Sequence, residues 1–450
     1  MLDSLIQLLK AVDEFFWGYV AFVLIMVLGL LLSFRARFFQ VFRFPQIIRT
    51  FFQCMGDSGG EAKRGVHPVK AFLASTGGMI GIGNVVGIVT AVQLGGPGAL
   101  VWVWVAGVIG AVVKYCEIYL GFKYRVENAQ GGYNGGPMYF LKKAFSWKVL
   151  PALVAFLLCI YGVEIYQFSV ITDSIASNWQ TPRLLIIGVL LAAVLYAGLG
   201  GVRRIGQICS WVMPLFLLTY ILMGVWVVVH EAPALPGMAV DVFRSAFTGH
   251  AAVGGFAGSS VILAIQNGIA RAAYSSDIGI GYDSIIQSES RVTHPERQAR
   301  LAILGVAIDN LICTLSILVV LASGVWKATT PLEGSQLIQA ALSQYFPYMN
   351  VFLPFFFIVT GYTTIIAFFV VGLKCAQYLM PRGGKSVYLV YAITSFLFFS
   401  FIPQGHALLV MSICGFMLLT INLLGIYRLR HEISFEEEEI PALSMAEETM

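Results

Sequence analysis

Charge is what this sequence has least of. Asp, Glu, Lys and Arg make up 12% of its 450 residues, about half the share carried by an ordinary soluble domain. With 58% hydrophobic residues beside so few charges, the chain is excluded from the soluble globular class. Its seven cysteines, at 54, 116, 159, 209, 313, 375 and 414, mostly fall inside apolar runs and show no paired spacing, so neither disulfides nor a metal cluster is expected. The six histidines, at 67, 230, 250, 294, 406 and 431, sit at run ends or in loops. A membrane haem needs axial histidines facing each other within spans, so a redox role is not expected. No HExxH, GxSxG or paired-aspartate signature supports an intramembrane protease.

What the sequence has in abundance is long apolar runs, with a mean hydropathy of +0.81. About eleven of them suffice to cross a hydrocarbon core about 30 Å thick: 16–34, 68–93, 98–122, 150–175, 184–200, 208–230, 255–290 with an interruption, 299–325, 350–379, 386–402 and 406–427. An all-α polytopic membrane protein is predicted, with no soluble domain. Lys and Arg divide unevenly between the two sets of connections. One set holds clusters such as Arg35, Arg37, Arg43 and Arg49, then Lys123, Arg125, Lys142 and Lys143, and later Lys374, Arg382 and Lys385. The other holds only Lys10, Arg183, Arg244 and Lys327. The bias predicts an amino terminus outside and an acidic carboxyl-terminal tail in the cytoplasm. The net charge of +4 therefore reflects topology and implies no nucleic-acid partner. The first run has Asp3, Asp13 and Glu14 before it and a basic segment after it, the reverse of a cleavable signal, so it is expected to be a retained peripheral helix.

Residues 77–84 read Gly-Gly-Met-Ile-Gly-Ile-Gly-Asn in the middle of a span. Each interior glycine costs a helix about 0.8–1 kcal/mol relative to alanine, so this stretch is predicted to be bent or unwound. Freed backbone groups at that depth are tolerated only inside protein or along a cavity, which makes the break a candidate ligand site. Close helix packing is the alternative explanation of the glycines, but it does not explain Asn84. Apart from the first run, the spans divide into two sets of five. Each set opens with a glycine-interrupted run, the second reading Ala273-Tyr274-Ser275-Ser276-Asp277-Ile278-Gly279-Ile280-Gly281. The two runs point in opposite directions across the membrane. This is the pattern of an inverted-repeat secondary transporter. The expected organisation is an N-terminal helix and basic segment over 1–64, a core over 65–430 with repeats over about 65–232 and about 250–430, and an acidic tail over 431–450.

Several runs of sequence resemble the alanine/glycine:sodium symporter family. They are Gly83-Asn84-Val85-Val86-Gly87; Leu94-Gly95-Gly96-Pro97-Gly98-Ala99-Leu100; Lys114-Tyr115 with Glu117; and Lys123-Tyr124-Arg125. Gly135-Gly136-Pro137-Met138-Tyr139, the motif over 252–258, Gly268-Ile269-Ala270-Arg271, His294-Pro295 with Gln298, and Thr363-Thr364 continue the resemblance. It implies a five-plus-five inverted-repeat, leucine-transporter-like bundle with one extra N-terminal helix, and sodium-driven uptake of small neutral amino acids such as alanine, glycine or serine. The chain departs from the family pattern at Ile82, Asp277, Ile278 and Phe368, all at or near the expected pocket.

An amino-acid carboxylate is stabilised by free N–H groups and the positive dipole end of a half-helix, here the amides of Ile82, Gly83 and Asn84. Sodium, the expected coupling ion, is a hard cation and wants oxygen ligands. By analogy with the wider symporter fold, these are the carbonyls of Gly77 and Ile80 and the hydroxyls of Thr363 and Thr364. Paired threonines in a span also bond back to their own helix, and that alternative stands. Gln167 matches a substrate-facing glutamine of the family, and Tyr274, Ile278 and Phe368 are expected around the substrate. Glu164, one turn before Gln167, is read as part of a cation site or as a proton carrier, so proton coupling is the alternative to sodium. Lys114 and Glu117 are expected to form an internal ion pair, and Asp309 and Asn310 to line the cavity or brace a break. Asp283, Ser284, Gln287, Ser288 and Glu289 are expected to face a water-filled inner vestibule. Two broken helices in one chain favour a transporter over a channel. No cofactor and no obligate protein partner is expected, and the setting is the lipid of the plasma membrane.

Overall fold

The computed structural model describes residues 2–56, 64–129, 131–248, 261–327, 332 and 334–436. Lys63, His250, the motif over 252–258, the start of the second interrupted run and the acidic tail from 437 lie outside the described residues. Apart from a short hairpin pairing Val126–Glu127 with Tyr133–Asn134, the elements are helical.

Among the described residues, seven helical stretches are long and apolar enough to cross a membrane: Ile6–Arg35, Ala99–Lys123, Val149–Trp179, Gly201–His230, Pro295–Ser323, Met349–Leu379 and Gln404–Glu432. Two shorter apolar helices, Arg183–Gly198 and Gly384–Phe399, and two interrupted ones fall on the remaining predicted runs. The helices are designated as follows. α1 is Phe22–Arg35; α2 (Pro68–Met79) and α3 (Thr90–Gly95) flank the first break; α4 is Ala99–Lys123. α5 is Val149–Tyr161, α6 Ile165–Trp179, α7 Arg183–Gly198 and α8 Gly201–His230. α9 (Val261–Ser275) and α10 (Tyr282–Gln287) flank the second break; α11 is Pro295–Ser323, α12 Met349–Leu379, α13 Gly384–Phe399 and α14 Gln404–Leu429.

Helix contacts pair off when the two halves are exchanged. α8 packs on α11 and α12, and α14 in turn packs on α4 and on α5 and α6. α7 lies on α12 as α13 lies on α6, while the second helices of the two halves, α4 and α11, pack directly on each other. α1 lies outside this arrangement, against α4 and α14, with Gly29 letting it approach Ile109. Large apolar side chains such as Leu184, Val189, Trp211 and Leu215 remain exposed, as a lipid-facing belt requires.

The run predicted over 150–175 is not continuous. It breaks over residues 162–164, where Glu164 is left-handed at φ 52°. Gly162 permits this because a Cβ there would lie 2.8 Å from the Gly372 Cα and 2.8 Å from the Phe368 carbonyl on α12.

Four of the five residues expected to face an inner vestibule at the second break are buried, and Glu289 is half-buried. Asp283, Ser284, Gln287 and Ser288 are buried because they bond to neighbouring protein groups. Ser75 donates to Asp283, Gln287 Nε2 donates to Ser75 Oγ at 2.9 Å, and Gln298 Nε2 donates to Gln287 Oε1 at 2.8 Å. Beyond them Arg125 donates to the carbonyls of Ser288, Ser290 and Val292 at 3.0, 2.6 and 2.8 Å, and Lys374 pairs with Glu289.

Candidate functional site

α2 stops at Met79 because the next donors are diverted. The Gly81 N–H, which would continue the helix onto the Gly77 carbonyl, instead donates to Asn84 Oδ1 at 3.0 Å. The Ile82 N–H donates to Gln167 Oε1 on α6 at 3.3 Å. Residues 82–84 then make a single 3-10 turn before the chain re-enters helix at Thr90. A helix end leaves its last carbonyls without intrahelical donors, and here those carbonyls are at the centre of the bundle.

Of the four predicted sodium ligands, two are brought together. The Thr364 hydroxyl reaches the Gly77 carbonyl at 3.5 Å across the α2–α12 interface, with its other contact 3.2 Å away on the Thr360 carbonyl. Thr363 bonds back to its own helix, at 2.8 Å to Thr360, and otherwise faces the Met213 sulfur on α8. This is the alternative noted for paired threonines. The Ile80 carbonyl accepts no backbone N–H from outside the helices among the described residues. Gly77 and Thr364 are thus oxygen donors of the kind a hard cation takes.

Beside this pair is a cavity of ≈ 30 Å³, lined by Gly78, Met79, Gly83, Tyr161, Glu164, Tyr166, Gln167, Tyr274, Ser275, Asp277, Thr364 and Phe368. That is about the room of one or two ordered waters, so the site is contracted. Gly83 is the one glycine of the 77–87 stretch at which a Cβ would meet nothing within 4 Å. Its N–H also donates to no acceptor among the described residues, whereas those of Ile82 and Asn84 are engaged, the latter by the Gly81 carbonyl at 3.3 Å. Phe368 closes one wall, stacked on Tyr282 at 3.9 Å and tilted against Tyr161 at 5.5 Å. Tyr274 leans edge-on against Trp17 at 6.0 Å.

Of the residues expected around the substrate, Ile278 lies elsewhere, while Ile82 and Asn84 offer the site backbone rather than side chain. Ile278 is fully buried with its Cδ1 against Gly110 of α4, outside the cavity lining. Ile82 points its side chain at Gly361 and offers the site only backbone. The Asn84 side chain braces the break by donating to Asp309 on α11, while the Asn84 backbone carbonyl accepts from Ser316 Oγ at 2.8 Å. Asn310, by contrast, packs on Gly107.

Charged side chains organise the second break as well. Asp309 also accepts from the Ser276 hydroxyl at 2.5 Å, so one carboxylate ties both breaks together. Lys114 does not pair with Glu117. Its ammonium donates to the Ser276 and Asp277 carbonyls, each at 2.7 Å, and pairs with Asp283. Sequence reasoning missed the cavity positions of Tyr161, Tyr166 and Ser275, and the left-handed turn that aims Glu164 inward; Asp277, expected at or near the pocket, lines the cavity. The only available signal for that turn was an ionisable residue two positions after a glycine within a span.

Two helices broken in mid-bundle with a small buried cavity between them are the arrangement of a secondary transporter rather than an enzyme. Solved structures share the fold. MhsT in complex with L-phenylalanine superposes with a TM-score of 0.56 at 17% sequence identity, over 82% of this chain and 90% of that one. The chain belongs to the sodium:alanine symporter family, whose model matches residues 2–439. Among its relatives are an uncharacterized transporter, YflA, of Bacillus subtilis, 32% identical over 87% of this chain and 84% of that protein, and the sodium/alanine symporter AgcS of Methanococcus maripaludis, 29% identical over 86% of each.

Proposed function

We propose that this protein carries a small neutral amino acid, such as alanine, glycine or serine, into the cell together with sodium. It would do so by alternating access in the plasma membrane, with the amino terminus outside and the carboxyl terminus in the cytoplasm. One observation carries the reading: the freed Gly77 carbonyl meets the Thr364 hydroxyl at the edge of a cavity that also contains the open Gly83 amide. An oxygen cradle and an N–H donor at one helix break suit a cation and a carboxylate side by side. The name of the AgcS relative, a sodium/alanine symporter, supports the same pairing.

The substrate carboxylate approaches the 82–84 turn, displacing Gln167 from the Ile82 amide, and the ammonium faces the acidic side of the cavity at Glu164 and Asp277. Tyr161, Tyr274 and Phe368 leave little room for a side chain, which favours the smallest amino acids. Purified protein in liposomes with an imposed sodium gradient, challenged with labelled amino acids, tests the reading. Concentrative uptake of alanine that collapses with the gradient is the expected result; better competition by leucine or phenylalanine than by alanine would overturn the substrate class.

Proton coupling is the second reading, and Glu164 favours it. This carboxylate is 4% exposed and lines the cavity, with no ion-pair partner among the described residues. Uptake that follows a pH gradient in the absence of sodium would establish it in place of the first.

A further inference from the structure

The two helix breaks expose the same kind of group and meet it differently. At the first break the Gly77 carbonyl faces a neutral hydroxyl, Thr364, and among the described residues no Lys or Arg side chain donates to a carbonyl over 77–83. At the second break α9 ends at Ser275, and the chain turns through left-handed Asp277, Gly279 and Gly281 at φ 49°, 76° and 95°. The carbonyls there, on Ser276 and on Asp277, which also accepts the Ile280 N–H at 3.3 Å, belong to the negative end of a half-helix. Unwound carbonyls at such an end are the ordinary ligands of a transported cation.

Lys114 already occupies that position. An ammonium has three N–H donors and no acceptor; it donates to the Ser276 and Asp277 carbonyls at 2.7 Å each and is ion-paired with the Asp283 carboxylate at the start of α10. Both charged side chains are 2% exposed. Removing one partner of a buried pair leaves an uncompensated charge, which is strongly destabilising, so the ammonium has no competing place to go. The ammonium sits against both carbonyls, so a mobile ion would have to displace it to reach them. Lys114 also binds residues on both sides of the break, so it holds α9 and α10 in register as well as neutralising the oxygens.

We infer that Lys114 is a tethered cation filling the ion position of the second break, and that each transport cycle therefore couples to a single free cation, taken at the first break. This rests on the symport reading above but can fail separately from it. A site at each break would move two free ions with each neutral substrate; a tethered ammonium at one of them reduces this to one and keeps the second break assembled without sodium.

The test is the charge moved per labelled alanine in liposomes containing the full chain, measured with the form of the sodium dependence. A single positive charge per alanine and a hyperbolic sodium curve are expected. In Lys114→Met the carbonyls and Asp283 lose their cation, and sodium can take its place. Uptake should then fall at low sodium, recover at high sodium, and become sigmoidal. Lys114→Met with Asp283→Asn removes the pair together, protecting against misfolding from a lone buried carboxylate, and should show the same change of form to a lesser degree. Two charges per alanine in the wild type would overturn the inference while leaving sodium symport intact. So would a Lys114→Met curve of unchanged form with only the maximal rate reduced, the result of a merely structural role. A single charge carried by protons, with no sodium dependence, would instead overturn the sodium reading and leave the single-free-cation inference standing.

Discussion

The Asn84 side-chain amide donates to the Asp309 carboxylate, and the same carboxylate accepts the Ser276 hydroxyl at 2.5 Å. Asn84 sits in the first break and Ser276 in the second, so Asp309, midway along α11, is the common anchor of both. Asn84 also accepts the Gly81 N–H at 3.0 Å, which is what prevents α2 from continuing. Leaving a buried donor unsatisfied costs about 1–3 kcal/mol. Asn84→Ala and Asp309→Ala should each lower the melting temperature of the purified protein and abolish uptake. The double variant should lose less than the sum, because the two act as a unit; additive losses would show that the contact is incidental.

Gly83 is where the cavity meets backbone. Gly83→Leu should abolish substrate binding, because its side chain would project into the open space beside the Gly83 amide, while expression and membrane insertion remain. Binding of labelled alanine to purified protein checks this, and wild-type affinity in the variant would remove the carboxylate site from the break.

The two adjacent threonines should separate cleanly. Thr364→Ala deletes the hydroxyl that faces Gly77 and should raise the sodium concentration needed for half-maximal uptake. Thr363→Ala removes a hydroxyl bonded within its own helix and should leave that concentration nearly unchanged. Sodium titrations of uptake give both values, and equal effects would contradict the assignment.

Glu164→Gln keeps the shape of the side chain and removes its charge. With sodium coupling, the variant should lose affinity for alanine and keep its sodium dependence, because the ammonium has lost a counter-charge. With proton coupling it should instead retain alanine exchange and lose only net uptake driven by a pH gradient. Paired exchange and net-uptake assays distinguish the outcomes.

Substrate range should follow Phe368 and not Ile278. One methylene in an apolar pocket is worth about 1–3 kcal/mol of discrimination, so Phe368→Leu should admit larger amino acids in competition assays. Ile278→Ala, taken from the sequence alone, would be expected to widen the range. Packed against Gly110, it should instead destabilise the protein by about 2–5 kcal/mol, the usual cost of truncating a buried Ile, with specificity unchanged. A widened range in Ile278→Ala would show that this side chain reaches the substrate after all.

Composition and periodicity alone determined that the chain is helical and membrane-embedded, because burying apolar runs in lipid leaves the backbone no other economical form. Sequence also located the first break and the glycine-rich second one, since glycine at mid-span is a local cost visible in one dimension. It placed Gly77, Gly83, Gln167, Tyr274, Thr364 and Phe368 among the site residues, and the structure brings these to one small region. Tertiary structure alone decided which partner each polar side chain takes. Lys114 and Glu117 are one turn apart, yet Lys114 pairs with Asp283, because a long side chain reaches whichever acceptors the neighbouring helix leaves unsatisfied. Asn84 became a brace and Ile278 a packing residue for the same reason: the direction of a side chain from an unwound segment follows no helical period. The break at Glu164 was equally illegible, since it depends on the contact of Gly162 with Gly372 on α12, residues brought together only by the packing of the two halves.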